Sequence, residues 1–120
     1  MMQSKLNKLE IEVLNHYLDS KGIEKEYFGK NFETIEVIER RIIGSGYMVE
    51  IKTDKSLEDR GVLNDRGGGD LEGVINNKIA VGFVVYVDDG MLNAIEGYTF
   101  EEVWPENISD YTITRNENKR

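Results

Sequence analysis

The sequence predicts an α+β domain: one N-terminal helix packed on an antiparallel sheet of about five or six strands. Three observations carry that expectation. Residues 5–21 repeat apolar side chains at helical spacing. From Thr34 onward, apolar residues alternate or run in short β-branched stretches. Lys78 to Pro105, KIAVGFVVYVDDGMLNAIEGYTFEEVWP, reads as a long strand, a tight turn and a return strand.

In the first element, Leu6, Leu9, Val13 and Tyr17 fall on one stripe, which Ile11, Leu14 and Leu18 widen. A stripe covering more than half the circumference predicts a well-buried helix. Ser4 is its candidate N-cap. Gly22 suits the left-handed position past its end, where Ile23 would fold back on Leu18. Tyr27, Phe28 and Phe32 then pack under a short turn or helix. Thr34–Ile43 is a strand whose alternation shifts between Val37 and Ile38, which points to a bulge. Gly44-Ser45-Gly46 turns the chain into a strand in which Tyr47, Val49 and Ile51 alternate with Met48, Glu50 and Lys52.

Residues 54–70, DKSLEDRGVLNDRGGGD, lack periodicity and are rich in glycine, so they read as a flexible loop of functional or disordered type. Leu71–Asn76 is a short strand. Ile79–Val87 is apolar on both faces, as a central strand is. Its small pair, Ala80 and Gly82, is the expected seat of the helix. A strand near Tyr111–Thr114 and a frayed polar tail close the chain, which reads as one domain over residues 1–120.

Composition bounds the function. The net charge of -8 argues against binding a nucleic-acid backbone, which needs clustered Lys and Arg. Acidity suits a basic partner, although solubility alone also explains it. With no Cys, disulfides, thiolate nucleophiles and zinc–thiolate sites are excluded. The N-terminus lacks the pattern of a secretory signal, and no apolar run has membrane-spanning length, so a cytoplasmic protein is expected.

Chemistry is sparse. Glu96 is a carboxylate in an otherwise apolar strand. If Asp89-Gly90 is a two-residue turn, Glu96 falls opposite Phe83; with a three-residue bulged loop it falls opposite Gly82. Either way its neighbours are apolar, the setting of a general acid or a ligand anchor, or of a structural acid bonded to Arg40, Arg41 or loop amides. A pocket around Glu96 and Tyr98, covered by the 54–70 loop, is the small-ligand or small-enzyme alternative. The lone His16 makes a triad or His-rich metal site unattractive. Asp88-Asp89-Gly90 lacks the alternating ligands of a calcium loop, and Gly67-Gly68-Gly69 lacks the Lys-Ser/Thr of a phosphate cradle. No metal or cofactor is called for.

The run Ile95-Glu96-Gly97-Tyr98-Thr99-Phe100, followed by Trp104-Pro105, resembles the LEGYTY…WP ending of small uncharacterised bacterial proteins. Some of these sit beside polymorphic toxins, as immunity proteins do. GSGYMVEI and VGFVVYVDDG upstream agree with it, and Ile95 stands where the pattern has Leu. The resemblance implies a non-enzymatic binder and carries over no catalytic residue. The expectation is therefore a protein-binding module, monomer or homodimer, meeting a basic toxin domain with an acidic surface. Its candidate contacts are Asp54, Glu58, Asp59, Asp65 and Asp70 of the loop, and Glu101, Glu102 and the aromatic anchor Trp104.

Overall fold

Helix α1 (Lys8–Ser20) begins later than its apolar stripe because Asn7 caps it. The Asn7 side chain accepts from the Glu10 amide at 2.9 Å, and the Glu10 carboxylate accepts from the Asn7 amide at 2.8 Å. This reciprocal pair satisfies two amides that the helix start would otherwise leave bare. The computed structural model describes residues 5–67, 71–100 and 102–115, so the expected cap Ser4 lies outside the described residues. The C-terminus closes as its sequence predicts. Gly22 sits at φ +70°, and the Ile23 and Gly22 amides donate back to the carbonyls of Leu18 and Asp19.

The strands are β1 (Glu36–Ile43), β2 (Gly46–Lys52), β3 (Asp65–Gly67), β4 (Leu71–Ile75), β5 (Ile79–Asp88), β6 (Met91–Thr99) and β7 (Tyr111–Arg115). They form one antiparallel sheet in the order β1-β2-β6-β5-β4-β7. The short β3 emerges from the segment read as a loop. It pairs with the second half of β5 (Asp65 opposite Val87), on the edge whose first half pairs with β4 (Glu72 opposite Gly82). The bulge expected in β1 is present. Val37 faces Ile51 and Glu39 faces Glu50, which leaves Ile38 as the extra residue.

α1 lies across β4, β5 and β7. The face it covers is the bulky one: Ile79, Val81, Phe83, Val85 and Val87 are buried, together with Leu92, Ile95, Val49 and Ile51. The expected seat, Ala80 and Gly82, faces away from the helix. A row of branched and aromatic side chains removes more apolar area from water than Ala and Gly do, and each such side chain contributes about 1.5–3 kcal/mol when fully buried. Gly82 instead makes room on the opposite face: a Cβ there would lie 2.5 Å from the Tyr98 ring.

The hairpin register follows neither expected alternative throughout. Asp89 and Gly90, at φ +55° and +84°, make the two-residue turn whose twist suits a hairpin, and Asp88 faces Met91. The register then slips at Asn93, so that Tyr86 faces Ala94 and Glu96 faces Val84. That slip turns Glu96 to the helix-free face, hereafter the outer face.

One acid is fully buried on the inner face. Glu10 has no exposure, and its two oxygens accept from Arg40 of β1 at 2.7 Å each. Arg40 also donates to the Lys5 carbonyl at 2.6 Å. The fork pins the start of α1 to the edge of the sheet. Arg40, one of the partners expected for Glu96, is thus committed to Glu10, and Arg41 approaches Glu50 at 3.8 Å.

Candidate functional site

The acidic segment after β2 folds against the tip of the β5–β6 hairpin. Leu57 is its plug, fully buried, with Val62 beside it. The Leu57 amide donates to the Gly90 carbonyl and the Gly90 amide to the Leu63 carbonyl, each at 2.6 Å. The Asp89 amide donates to the Asn64 side chain at 3.0 Å. Gly90 needs to be glycine twice over: its φ is +84°, and a Cβ would run into the Ser56 hydroxyl.

This docking assembles acids that are far apart in sequence. Asp54, Glu58 and Asp59 come from the segment, Asp88 and Asp89 from the hairpin tip, and all five are exposed. Leu63 and Met91, 46% and 36% exposed, lie among them. The cations of the segment are drawn aside. Lys55 donates to the Tyr27 carbonyl at 3.1 Å with its ammonium 4.3 Å from the Tyr27 ring centroid. Arg60 sits 4.8 Å from the same ring and forks onto Glu24 at 2.9 and 3.2 Å. The hydrogen bond from Arg60 pushes the Glu24 carboxyl down to about 2, so that pair stays ionised. Tyr27 is itself fixed, donating its hydroxyl to the Ser56 carbonyl at 2.5 Å. Both cations are therefore held on the Tyr27 side; Arg60 still feels the charge of Asp59, and the other four acids make no salt bridge among the described residues.

The remaining expected contacts are elsewhere. Asp65 turns inward, accepting from the Tyr17 hydroxyl at 2.6 Å and pairing with Lys21 at 3.0 Å. Burial pushes its carboxyl up, but the bonds from Tyr17 and Lys21 outweigh this and hold it below its ordinary value. Asp65 therefore ties α1 to β3 and is not a surface contact. Trp104 is corrected too: it is 4% exposed and stacks on Tyr47 with ring centroids 4.5 Å apart, so it belongs to the core. Glu102 is exposed, but at the opposite end of β6. There the Thr99 and Trp104 amides donate to the Ser45 and Gly44 carbonyls of the β1–β2 turn. Eight strand steps, about 26 Å, separate it from the hairpin tip. Asp70 and Glu101 lie outside the described residues.

Glu96 and Tyr98 share the outer face, both half-buried. Glu96 accepts from the Tyr86 hydroxyl at 2.5 Å, and the Arg66 guanidinium lies 5.1 Å from the Tyr86 ring centroid. Tyr98 lies over Gly82 and meets Phe100 edge-on at 5.7 Å. The expected loop cover is misplaced: the 54–64 stretch is bonded at the hairpin tip and at Tyr27, and Arg66 is what reaches the outer face. An open groove of about 340 Å³ on that face is lined by residues such as Val74, Ala80, Phe100 and Thr112, and not by Glu96 or Tyr98. Among the described residues, no three His, Asp or Glu converge as metal ligands would. None of their helices is long and apolar enough to cross a membrane.

Two signals for this site were present in the sequence, the acids of residues 54–59 and those of the hairpin turn. Nothing local joined them, because the join is made by the backbone bonds of Leu57 and Leu63 and the side chain of Asn64. No protein-family model, curated protein or solved structure matches the chain.

Proposed function

We propose that the chain is a non-enzymatic protein-binding module that receives a basic partner on the acidic end formed by Asp54, Glu58, Asp59, Asp88 and Asp89. The role that suits such a surface is that of an immunity protein neutralising a basic toxin domain. The observation that carries the reading is the tie of Lys55 and Arg60 to Tyr27, which leaves Asp54, Glu58, Asp88 and Asp89 without a salt bridge among the described residues, around Leu63 and Met91, with Asp59 feeling Arg60 alone. An acidic rim around apolar side chains combines the two parts of a protein interface: charge to speed and orient encounter, and apolar area to hold the complex.

The test is affinity capture from host extract at low and moderate salt, comparing the natural chain with a D54K/E58K/D59K/D89K variant of matching circular dichroism. A cationic protein held by the natural chain, weakened by salt and lost from the variant supports the proposal. A partner held equally by both at either salt, or no partner at all, overturns it.

A further inference from the structure

The tip of the β5–β6 hairpin carries a chemically labile step, Asp89-Gly90. The turn imposes it. Gly90 has no substitute at φ +84°, and Asp tolerates the φ of +55° at position 89 better than most residues do. A glycine nitrogen has no side chain crowding it, so an aspartate before glycine is prone to close on the chain. In that closure the Gly90 nitrogen bonds to Asp89 Cγ and the bond from Cγ to one carboxyl oxygen breaks. That oxygen leaves as water, taking the amide proton and a solvent proton. Water then cuts the bond between the Gly90 nitrogen and the Asp89 main-chain carbonyl carbon. The isoaspartate product has the composition of the starting chain. Its backbone runs through Cβ and Cγ, and its carboxylate stands on Cα. Water is the one co-reactant.

We propose that Asp89-Gly90 is a latent isomerisation site, which the docked stretch 57–64 keeps closed. To react, the Gly90 nitrogen must give up its proton and turn toward Asp89 Cγ. Its N–H is instead donated to the Leu63 carbonyl at 2.6 Å, and Gly90 is buried although Asp89 is exposed. The groups on either side are held too. The Asp89 amide donates to the Asn64 side chain at 3.0 Å, and the Gly90 carbonyl accepts from the Leu57 amide at 2.6 Å. With the turn pinned at these points, the five-membered ring closes only after the bonds have broken. All three partners belong to one stretch, and its plug, Leu57, is fully buried. Closure therefore waits for that stretch to lift off the hairpin tip, a local opening with its own free energy. Isomerisation would lengthen the two-residue turn by a backbone atom and shift one charge of the acidic end. The chemistry does not depend on what that end binds, so it stands independently of the proposed function.

Peptide mapping of the full chain after prolonged incubation at neutral pH tests it. Isoaspartate leaves the mass unchanged but blocks a protease that cuts before aspartate, so lost cleavage before Asp89 reports it. The folded natural chain should convert at least about tenfold more slowly than the chain unfolded in guanidinium chloride. Leu57→Ala, folded by circular dichroism, removes the plug and should convert about tenfold faster than the folded natural chain, or more. Equal rates in the folded and unfolded natural chain, no conversion when unfolded, or Leu57→Ala converting no faster would each overturn the proposal. If Leu57→Ala does not fold, hydrogen exchange of the natural chain decides. Gly90 and Leu57 amides protected to the same degree support gating by the docked stretch. A Gly90 amide that exchanges freely, or independently of Leu57, refutes it.

Discussion

On β5 and β6, neighbouring residues occupy different environments. Phe83, Val85 and Ile95 point inward and are fully buried beneath α1. Val84, Tyr86 and Glu96 point outward and are half-buried. The inner face also holds a carboxylate, Glu10, whose oxygens are taken up by Arg40 and the Asn7 amide. The outer-face carboxylate, Glu96, accepts from a tyrosine beside open solvent. An acid sealed in the core must be paired or it costs several kcal/mol, whereas a half-wet acid can be exchanged cheaply. The residue that looked chemical in the sequence is thus the less constrained of the two.

Truncating neighbours on one strand gives the largest contrast. Phe83→Ala should cost about 3–5 kcal/mol by the cavity it leaves, and Val84→Ala under about 1 kcal/mol. Urea unfolding measures both, and equal costs would mean that the outer face is covered in solution. Next come the acids. Glu10→Ala removes a helix cap and strands Arg40, at a cost of about 3 kcal/mol once the 37% exposure of the Arg40 side chain is allowed for. Glu96→Ala should cost under about 1 kcal/mol.

The glycines give a smaller split. A Cβ at Gly97 would stand 2.5 Å from the buried Tyr47 ring and 2.8 Å from Trp104, so Gly97→Ala should overpack the core by about 1–3 kcal/mol. At Gly82 the obstacle is the far end of the half-exposed Tyr98, which can swing away, and thermal melting of Gly82→Ala should show a small loss.

The smallest effects are titrations. The bond to Glu96, aided by partial burial, raises the Tyr86 phenol above its ordinary 10.0. The folded value exceeds the unfolded one, so this contribution is complete below pH 10 and is lost as pH rises through the folded value. Ultraviolet phenolate titration should show the Tyr86 midpoint fall in Glu96→Gln. Asp65 behaves in the opposite sense. Its folded value is depressed, so its contribution is present above the ordinary 3.8 and is lost as pH falls through the folded value. Asp65→Asn should flatten the acid limb of the stability profile.

Patterns that need only near neighbours were legible. The Gly22 cap, the bulge in β1 and the Asp89-Gly90 turn each rest on residues within a few positions of one another. The helix start is also written locally, as Asn7 followed three residues later by Glu10, although the apolar stripe begins before it at Leu6. The face of Glu96 was not legible. A strand's side-chain period is two, so the single extra residue at Asn93 reverses every later orientation, and no turn signal marks that slip.

The chain's periodicity and turn chemistry were enough for one helix on an antiparallel sheet, because those elements form from contacts close in sequence. Which face the helix covers, which acid is sealed in the core and which acids gather at one end depended on surfaces brought together from distant parts of the chain. The row of Ile79, Val81, Phe83, Val85 and Val87 outweighs Ala80 and Gly82 only once α1 has an area to bury against. Asp54, Glu58 and Asp59 meet Asp88 and Asp89 only once Leu57 has a core to enter. Burial is a property of the assembled molecule, so these choices became definite when the layers closed.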